Sequence, residues 1–459
     1  MTITRFVIPL LTASLLSAPV TLHAQAQTQA QPATEEMAPV EAIIDIQHVV
    51  SPGGIEAWLV QDNTIPFMAI EMWFDGGGSL DRPGARGATN LMMALLEEGT
   101  ADMDAQAFAT AQEGFAASFG FDTYRDEVAI SARVLTQNRA EALALLREAM
   151  LAPSFEPSAL ERVRQQVISG IEFDLTDPDT ISGLTFNALA YGDHPYATSL
   201  DGTVESVAAL TRDDIVAAHR SALVRDRVSV GVAGDITPEE LGPLLDDLLG
   251  DLPEADLPLP EQATFQAPGG IEVVDLAVPQ SSVLFGNQGI SRTDPDFFPY
   301  FVMNQILGAG GYRSRLNQEV REERGLTYGI STWTALSDYI AMHQGAFSSS
   351  NDLVAQAIEV VLAEWQDLSE NGVTPAELEA AQRYMTGAYP LRFSGNASIA
   401  GTLAAMQADD MPIDYINTRN ARVMEVTLDD IQRVAGRVID PETLQFVVVG
   451  QPEGLEPSN

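Results

Sequence analysis

The sequence predicts an α+β fold of two tandem, related domains, each an open sheet with helices packed against it. Strand-like and helix-like segments alternate throughout, and 459 residues exceed what one ordinary core organises. The chain also repeats itself. Pro52-Gly53-Gly54-Ile55-Glu56 recurs as Pro268-Gly269-Gly270-Ile271-Glu272, and Leu210-Thr211-Arg212-Asp213-Asp214-Ile215 is answered by Val426-Thr427-Leu428-Asp429-Asp430-Ile431, both 216 residues further on. Pro157 and Leu160-Glu161 find Pro375 and Leu378-Glu379 near the same spacing. Three matches in register indicate duplication, and a period this long means tandem domains rather than a solenoid.

In chain order, alternation and aromatic content predict strands at 56–60 and 68–74. A glycine turn, Asp75-Gly76-Gly77-Gly78-Ser79, leads into Gly84 to Thr100, the stretch on which the first half is organised. Its centre, Leu91-Met92-Met93-Ala94-Leu95-Leu96, is apolar on every side and made of good helix formers, so it reads as a buried helix closed by Gly99. Helices follow at 105–113, 138–151, 157–174 and 211–221, with strands at 127–134 and 228–233. Thr237-Pro238-Glu239-Glu240 starts another helix with a capping box, as does Thr374-Pro375-Ala376-Glu377 in the second half. Between 252 and 268 the chain turns proline-rich, which marks a linker. The domains therefore read as 41–251 and 269–459.

A net charge of -41 argues against nucleic acid and anionic membrane surfaces as partners. The acids are spread along the chain, as on a solvated surface, although they would also attract basic peptides. Residues 1–26 carry Arg5, an apolar run from Phe6 to Val20, and the small residues Ala24 and Ala26. That is the form of a secretory signal peptide, too short and too broken by Pro9 and Pro19 to span a membrane. Residues 27–40 read as a flexible lead-in. With no cysteine there is no disulfide framework, and the expected location is the periplasm.

The strand, the glycine turn and Gly87-x-x-Asn90-x-x-Met93-Ala94-x-Leu96-x-x-Gly99-Thr100 resemble G-x-x-H-x-x-E-H-x-L-x-x-G-T. That is the zinc helix of the pitrilysin, insulinase and mitochondrial-processing-peptidase family of metallopeptidases. The resemblance extends to Tyr191-Gly192-Asp193-His194-Pro195-Tyr196, to Gly234-Asp235 and, most specifically, to Ser314–Tyr328, close to S-R-L-x-x-x-V-R-x-x-R-G-L-x-Y. It implies half-molecules built of two related domains, a zinc held by two histidines and a distal glutamate, and a second glutamate that activates water. In this chain those positions fall at Asn90, Met93, Ala94 and Gly170, with Glu172 two places away from the distal position. None of the four carries the required side chain. His48, His194, His219 and His343 form no alternative cluster, and no phosphate loop or serine-nucleophile elbow is complete.

The second half keeps its motif. Ser314 is expected to cap a charged helix, Gly325 to end it, and Leu326 to begin a strand carrying Tyr328. The resemblance implies that Arg324 and Tyr328 contact substrate carbonyls near the cleaved bond, a charged fork and a phenol donor where an oxyanion develops. The bland alternative makes Arg324 a helix-terminal cation and Tyr328 a packed strand aromatic. Gly308, Gly310 and Gly311 form either a substrate-facing loop or a turn. The resulting expectation is a non-catalytic, substrate-binding subunit, inactive alone and holding no cofactor. It would complete a heterodimer with a related chain that carries zinc. A stand-alone peptide-binding or scaffold protein is the alternative.

Overall fold

The computed structural model describes residues 44–458, so the expected signal peptide and lead-in lie outside the described residues. The first half contributes strands β1 (Gln47–Val50), β2 (Glu56–Gln61), β3 (Phe67–Asp75), β4 (Ser118–Thr123), β5 (Glu127–Leu135) and β6 (Val228–Gly234). Its helices are α1 (Ala88–Ala94), α2 (Ala105–Gly114), α3 (Arg139–Leu151), α4 (Pro157–Asp174), α5 (Pro178–Tyr191), α6 (Val204–Ala209), α7 (Arg212–Ala222) and α8 (Pro238–Leu249). The second half supplies β7 (Gly270–Asp275), β8 (Gln280–Gln288), β9 (Ile330–Ser337), β10 (Ile340–Ser350) and β11 (Gln445–Gly450). With them come α9 (Phe297–Asn304), α10 (Val354–Asn371), α11 (Pro375–Ala388), α12 (Asn396–Ala408), α13 (Tyr415–Glu425) and α14 (Leu428–Val438).

These make two sheets of one design. The first runs β1-β2-β6-β3-β5-β4 and the second β7-β11-β8-β10-β9, so the two match strand for strand once β1 is set aside. In each, one parallel pair (β2 with β6, β7 with β11) adjoins an antiparallel remainder. The repeated Pro-Gly-Gly-Ile-Glu turns the chain at equivalent places, with Gly54 and Gly270 at φ +88° and +93°, where a side chain would be strained. Thr211 and Thr427 cap α7 and α14 through reciprocal bonds with Asp214 and Asp430. Duplication is thus written into strand order as well as sequence.

Period-two patterning explains the layers. Met68, Ile70, Met72 and Phe74 of β3 point into a core with α1, α3 and α7 residues, while Ala69 points to the opposite face. There it meets not a helix of its own half but α12, through Ala400, Leu403 and Met406. The reverse happens on the second sheet. Phe446 and Val448 of β11 face their own helices, and Val447 and Val449 face α5 through Phe186 and Ala190. Each half therefore lends one helix to the other half's sheet. Sequence analysis left α5 and β4 unassigned and gave no hint of the exchange. The proline-rich connection is pinned rather than free: Ala263 N–H donates to Tyr339 O at 2.9 Å and Gln266 N–H to Ala190 O at 2.9 Å.

The exchange depends on close approach at β6. A Cβ on Gly231 would lie 2.0 Å from Ala400 O and 2.6 Å from Ala404 N. Gly231→Ala should therefore destabilise the chain by about 1–3 kcal/mol or more, because backbone rather than a flexible side chain must yield. Gly401→Ala, on the same helix with only Glu71 Cγ at 3.9 Å, should be tolerated. Urea unfolding of the two variants checks this, and equal midpoints would contradict the packing described.

Candidate functional site: a degenerate zinc helix and an intact arginine-tyrosine turn

The helix at the centre of the first half is set by its entry. Gly87, at φ +88°, has no side chain to cap with, and Asp81 supplies the cap from outside: its carboxylate accepts from Gly87 N at 2.8 Å, Thr89 N at 3.0 Å and Thr89 Oγ1 at 2.7 Å. The α-helix stops at Ala94 instead of continuing through Leu96, and Leu95 and Leu96 turn the chain into the core. Gly99 is required in the bridge that follows, with φ +125° and a Cβ that would sit 2.5 Å from Met103 O.

None of the four ligand and base positions suits zinc. The Asn90 amide donates to Asp201 Oδ1 at 2.8 Å. Met93 is 1% exposed and belongs to the core, where a carboxylate would be desolvated. Ala94 offers a methyl group. Gly170, on α4, offers nothing, and the space where its Cβ would stand is open. Among the described residues no group of three or more histidines and carboxylates is arranged to hold a metal. The histidines are otherwise engaged: His194 accepts from Tyr196 N at 3.2 Å, His219 bonds Met150 O at 2.7 Å, and His343 is wholly buried, its pKa lowered to about 3 by burial.

The second-half motif is built differently from its expected form. Ser314 does cap, bonding Asn317 N at 3.4 Å, but Asn317–Glu322 winds as a π-helix. Arg315 forks onto Glu377 at 2.6 and 3.0 Å and so ties the motif to α11. Burial works against ionisation of Glu377, yet Arg315 and Thr374 hold its pKa at about 2. Leu326 does not start a strand. It is buried in a connector that ends at β9, held by Thr327 Oγ1 to Ser348 O at 2.7 Å and by Asn317, which bonds the backbone of Ile330.

Tyr328 sits on that connector, not on the strand, and is 88% exposed. The structure brings Arg321, not Arg324, to it. Arg321 Nε donates to Tyr328 O at 2.9 Å and its guanidinium lies 4.5 Å from the centroid of the Tyr312 ring, itself 71% exposed. Arg324 instead bonds Glu319 O at 2.8 Å and Glu319 Oε2 at 2.6 Å. Sequence reasoning missed Arg321 and Tyr312. Both arginines stand in the motif, and α-helical periodicity cannot choose between them once the helix widens. Gly308 is buried in a π turn, Gln305–Ala309, where a Cβ would meet Thr332 Oγ1 at 2.3 Å. A Cβ on Gly310 would lie 2.6 Å from Gln305 O, and only Gly311, at φ +60°, opens to solvent. Packing alone requires the first two glycines.

Residues 57–203 match the family model described as insulinase (peptidase family M16), and residues 209–385 match that of the peptidase M16 inactive domain. The chain belongs to peptidase family M16. A solved M16 inactive domain from Pseudomonas fluorescens superimposes with a TM-score of 0.85 over 91% of this chain and 100% of that one, at 27% identity. A Helicobacter pylori protein named non-peptidase homolog YmxG is 25% identical over 85% of this M16 chain and 90% of its own length. The probable mitochondrial-processing peptidase subunit beta of Schizosaccharomyces pombe is 24% identical over 83% of this chain and 86% of its own. This member has lost the zinc-binding side chains and kept the fold around them.

Two outcomes follow from that geometry. The purified chain should hold no stoichiometric zinc by elemental analysis and cleave no peptide by itself. Installing Asn90→His, Met93→Glu and Ala94→His together should not create an efficient protease, since the third ligand is absent at Gly170 and a glutamate at position 93 would be buried among Leu91, Met92 and Leu95. Efficient cleavage by the triple variant would show that the distal ligand lies elsewhere.

Proposed function

We propose that this M16 chain is a non-catalytic, substrate-binding subunit of a heteromeric peptidase, exported to the periplasm. A related subunit would carry the zinc, and this chain would complete the peptide chamber. The observation that carries the reading is the state of Tyr328. A tyrosine retained for packing would be buried; this one is 88% exposed at the end of a motif whose other members are bonded in place. Thr327 is anchored to β10 on one side of it, and Arg321 grips its carbonyl on the other. A phenol held out on a rigid turn is suited to donate to a carbonyl of a bound peptide.

The names of relatives support a non-catalytic role, since the Helicobacter pylori protein is called a non-peptidase homolog and the matching Pseudomonas fluorescens structure an inactive domain. The apolar N-terminal segment supports export. No helix among the described residues is long and apolar enough to cross a membrane. In this reading Arg321, whose Nε holds the Tyr328 carbonyl, partners the tyrosine more closely than Arg324, which is paired with Glu319.

The test is reconstitution with a zinc-bearing M16 chain from the same cell, reading peptide cleavage alongside elution of the complex. Tyr328→Phe should lower turnover by roughly a hundredfold, the loss of one donor worth on the order of 3 kcal/mol, and leave assembly intact. Arg321→Ala should weaken both substrate binding and turnover, while Arg324→Ala has the smaller effect. Variants that assemble normally and cleave at the wild-type rate would leave the stand-alone scaffold as the better account.

A further inference from the structure

Where the two halves meet edge to edge, two equivalent hairpin turns touch. The β4–β5 turn presents Asp126, whose Oδ2 accepts from Asp338 N in the β9–β10 turn at 3.2 Å. Asp126 Oδ1 accepts from Tyr196 Oη at 2.5 Å and from Ser79 Oγ at 3.3 Å, and Tyr196 Oη in turn accepts from Tyr339 N at 3.4 Å. This small knot stands among carboxylates. Asp75 and Glu127 are direct cross-strand partners on β3 and β5, a placement that sets like charges against each other. Asp338 adds a third from the other half. None of these three has an ion-pair partner among the described residues.

The elements around the seam do little to balance it. From the end of α12 come Asp409 and Asp410, the first paired with Arg292 at 3.1 Å. Further along β3 and β4 stand Glu71 and Asp122, with Arg133, two residues along β5 from Glu71's partner Ser131, attracting Glu71. Arg227, just before β6, is a cation that acts on Asp75, but its guanidinium is also bonded to Leu257 O in the connection. Arg125 lies on the Tyr196 ring, 4.8 Å from its centroid, with Tyr191 beside it and His194 packed on Tyr196, and its charge partly offsets the burial of Asp126. Tyr339 is only 6% exposed, its hydroxyl has no hydrogen-bond partner among the described residues, and its charged neighbours are Asp126, Asp338, Asp75 and Arg227.

We propose that this seam is a proton-operated clasp: protons held by Asp75, Glu127 and Asp338 keep the two hairpins together, and their loss sets the three carboxylates against one another and loosens the contact between the hairpins. Burial first, and then the neighbouring carboxylates, raise Glu127 to about 8 and Asp338 to about 7. Burial raises Asp75 to about 6, partly offset by Arg227. Each folded value lies above the ordinary one, so the stability is fully present below the usual carboxylate range and is lost as pH rises through about 6 to about 8. Because β9 runs from Ile330, two residues beyond Tyr328, to Ser337, beside Asp338, the clasp also anchors the far end of the strand that follows the exposed tyrosine.

The experiment uses the full chain, comparing thermal unfolding at pH 5.5 and 8.5 at fixed ionic strength, with hydrogen exchange of the Asp338 and Tyr339 amides followed over the same range. The wild type should melt lower at pH 8.5, and exchange at those two amides should accelerate roughly tenfold beyond the intrinsic pH effect while the centre of β3 stays protected. Glu127→Gln and Asp338→Asn, neutral shapes of the same size, should each flatten the pH dependence. If the isosteric variants lose as much stability as the wild type across that range, or if the wild-type turn amides keep constant protection, the clasp does not exist.

Discussion

Everything else in this molecule rests on the reciprocal exchange of α5 and α12. A sheet with one apolar face needs one layer of helices; both sheets here are apolar on two faces, and each covers its second face with a helix from the opposite half. Neither half can bury its central strand alone. β11 is buried at every residue, which its own helices can explain on one side only. The two halves are therefore coupled through cores rather than through a polar interface, and the polar contacts gather at the rim, where the edge hairpins meet.

That coupling gives the Arg321–Tyr328 turn its rigidity. The turn is a short connector between a π-helix and an edge strand, a place where a loop would ordinarily move. It is held by buried side chains instead: Asn317 on Ile330, Thr327 on Ser348, and Ser349 Oγ on Leu326 O at 2.6 Å. Arg315, the motif's first arginine, faces away from the turn and fastens it to α11. A motif that looks like one string is divided by the fold, with Arg315 and Asn317 anchored to neighbouring elements and Tyr328 exposed, its carbonyl held by Arg321.

The zinc helix tells the opposite story. Its frame survives because Leu91, Met92, Leu95 and Leu96 are core residues with no substitute. The residues at the ligand and base positions suit their surroundings: an amide that donates to Asp201, a thioether in the dry core, a methyl packed against that core and, at Gly170, a hydrogen facing open space. Of the positions on this helix, Asn90 turns to Asp201, while Met93 and Ala94 have joined the packing that holds the helix in place.

Duplication, the α+β alternation, the capped starts of α8 and α11, and the empty zinc positions could all be read from residues alone. They are local facts: a capping box spans four residues, and a missing histidine is missing in any conformation. What the sequence could not carry was anything decided by contact between distant segments. The exchange of α5 and α12 depends on which of two similar sheets each helix meets, and their patterns suit either. The choice between Arg321 and Arg324 depends on a widened helix that no periodicity announces. The crowding of Asp75, Glu127 and Asp338 arises only when β5 is laid on β3 and the second half's hairpin is brought beside them, for charges far apart in sequence become one electrostatic problem only when the fold removes the water between them.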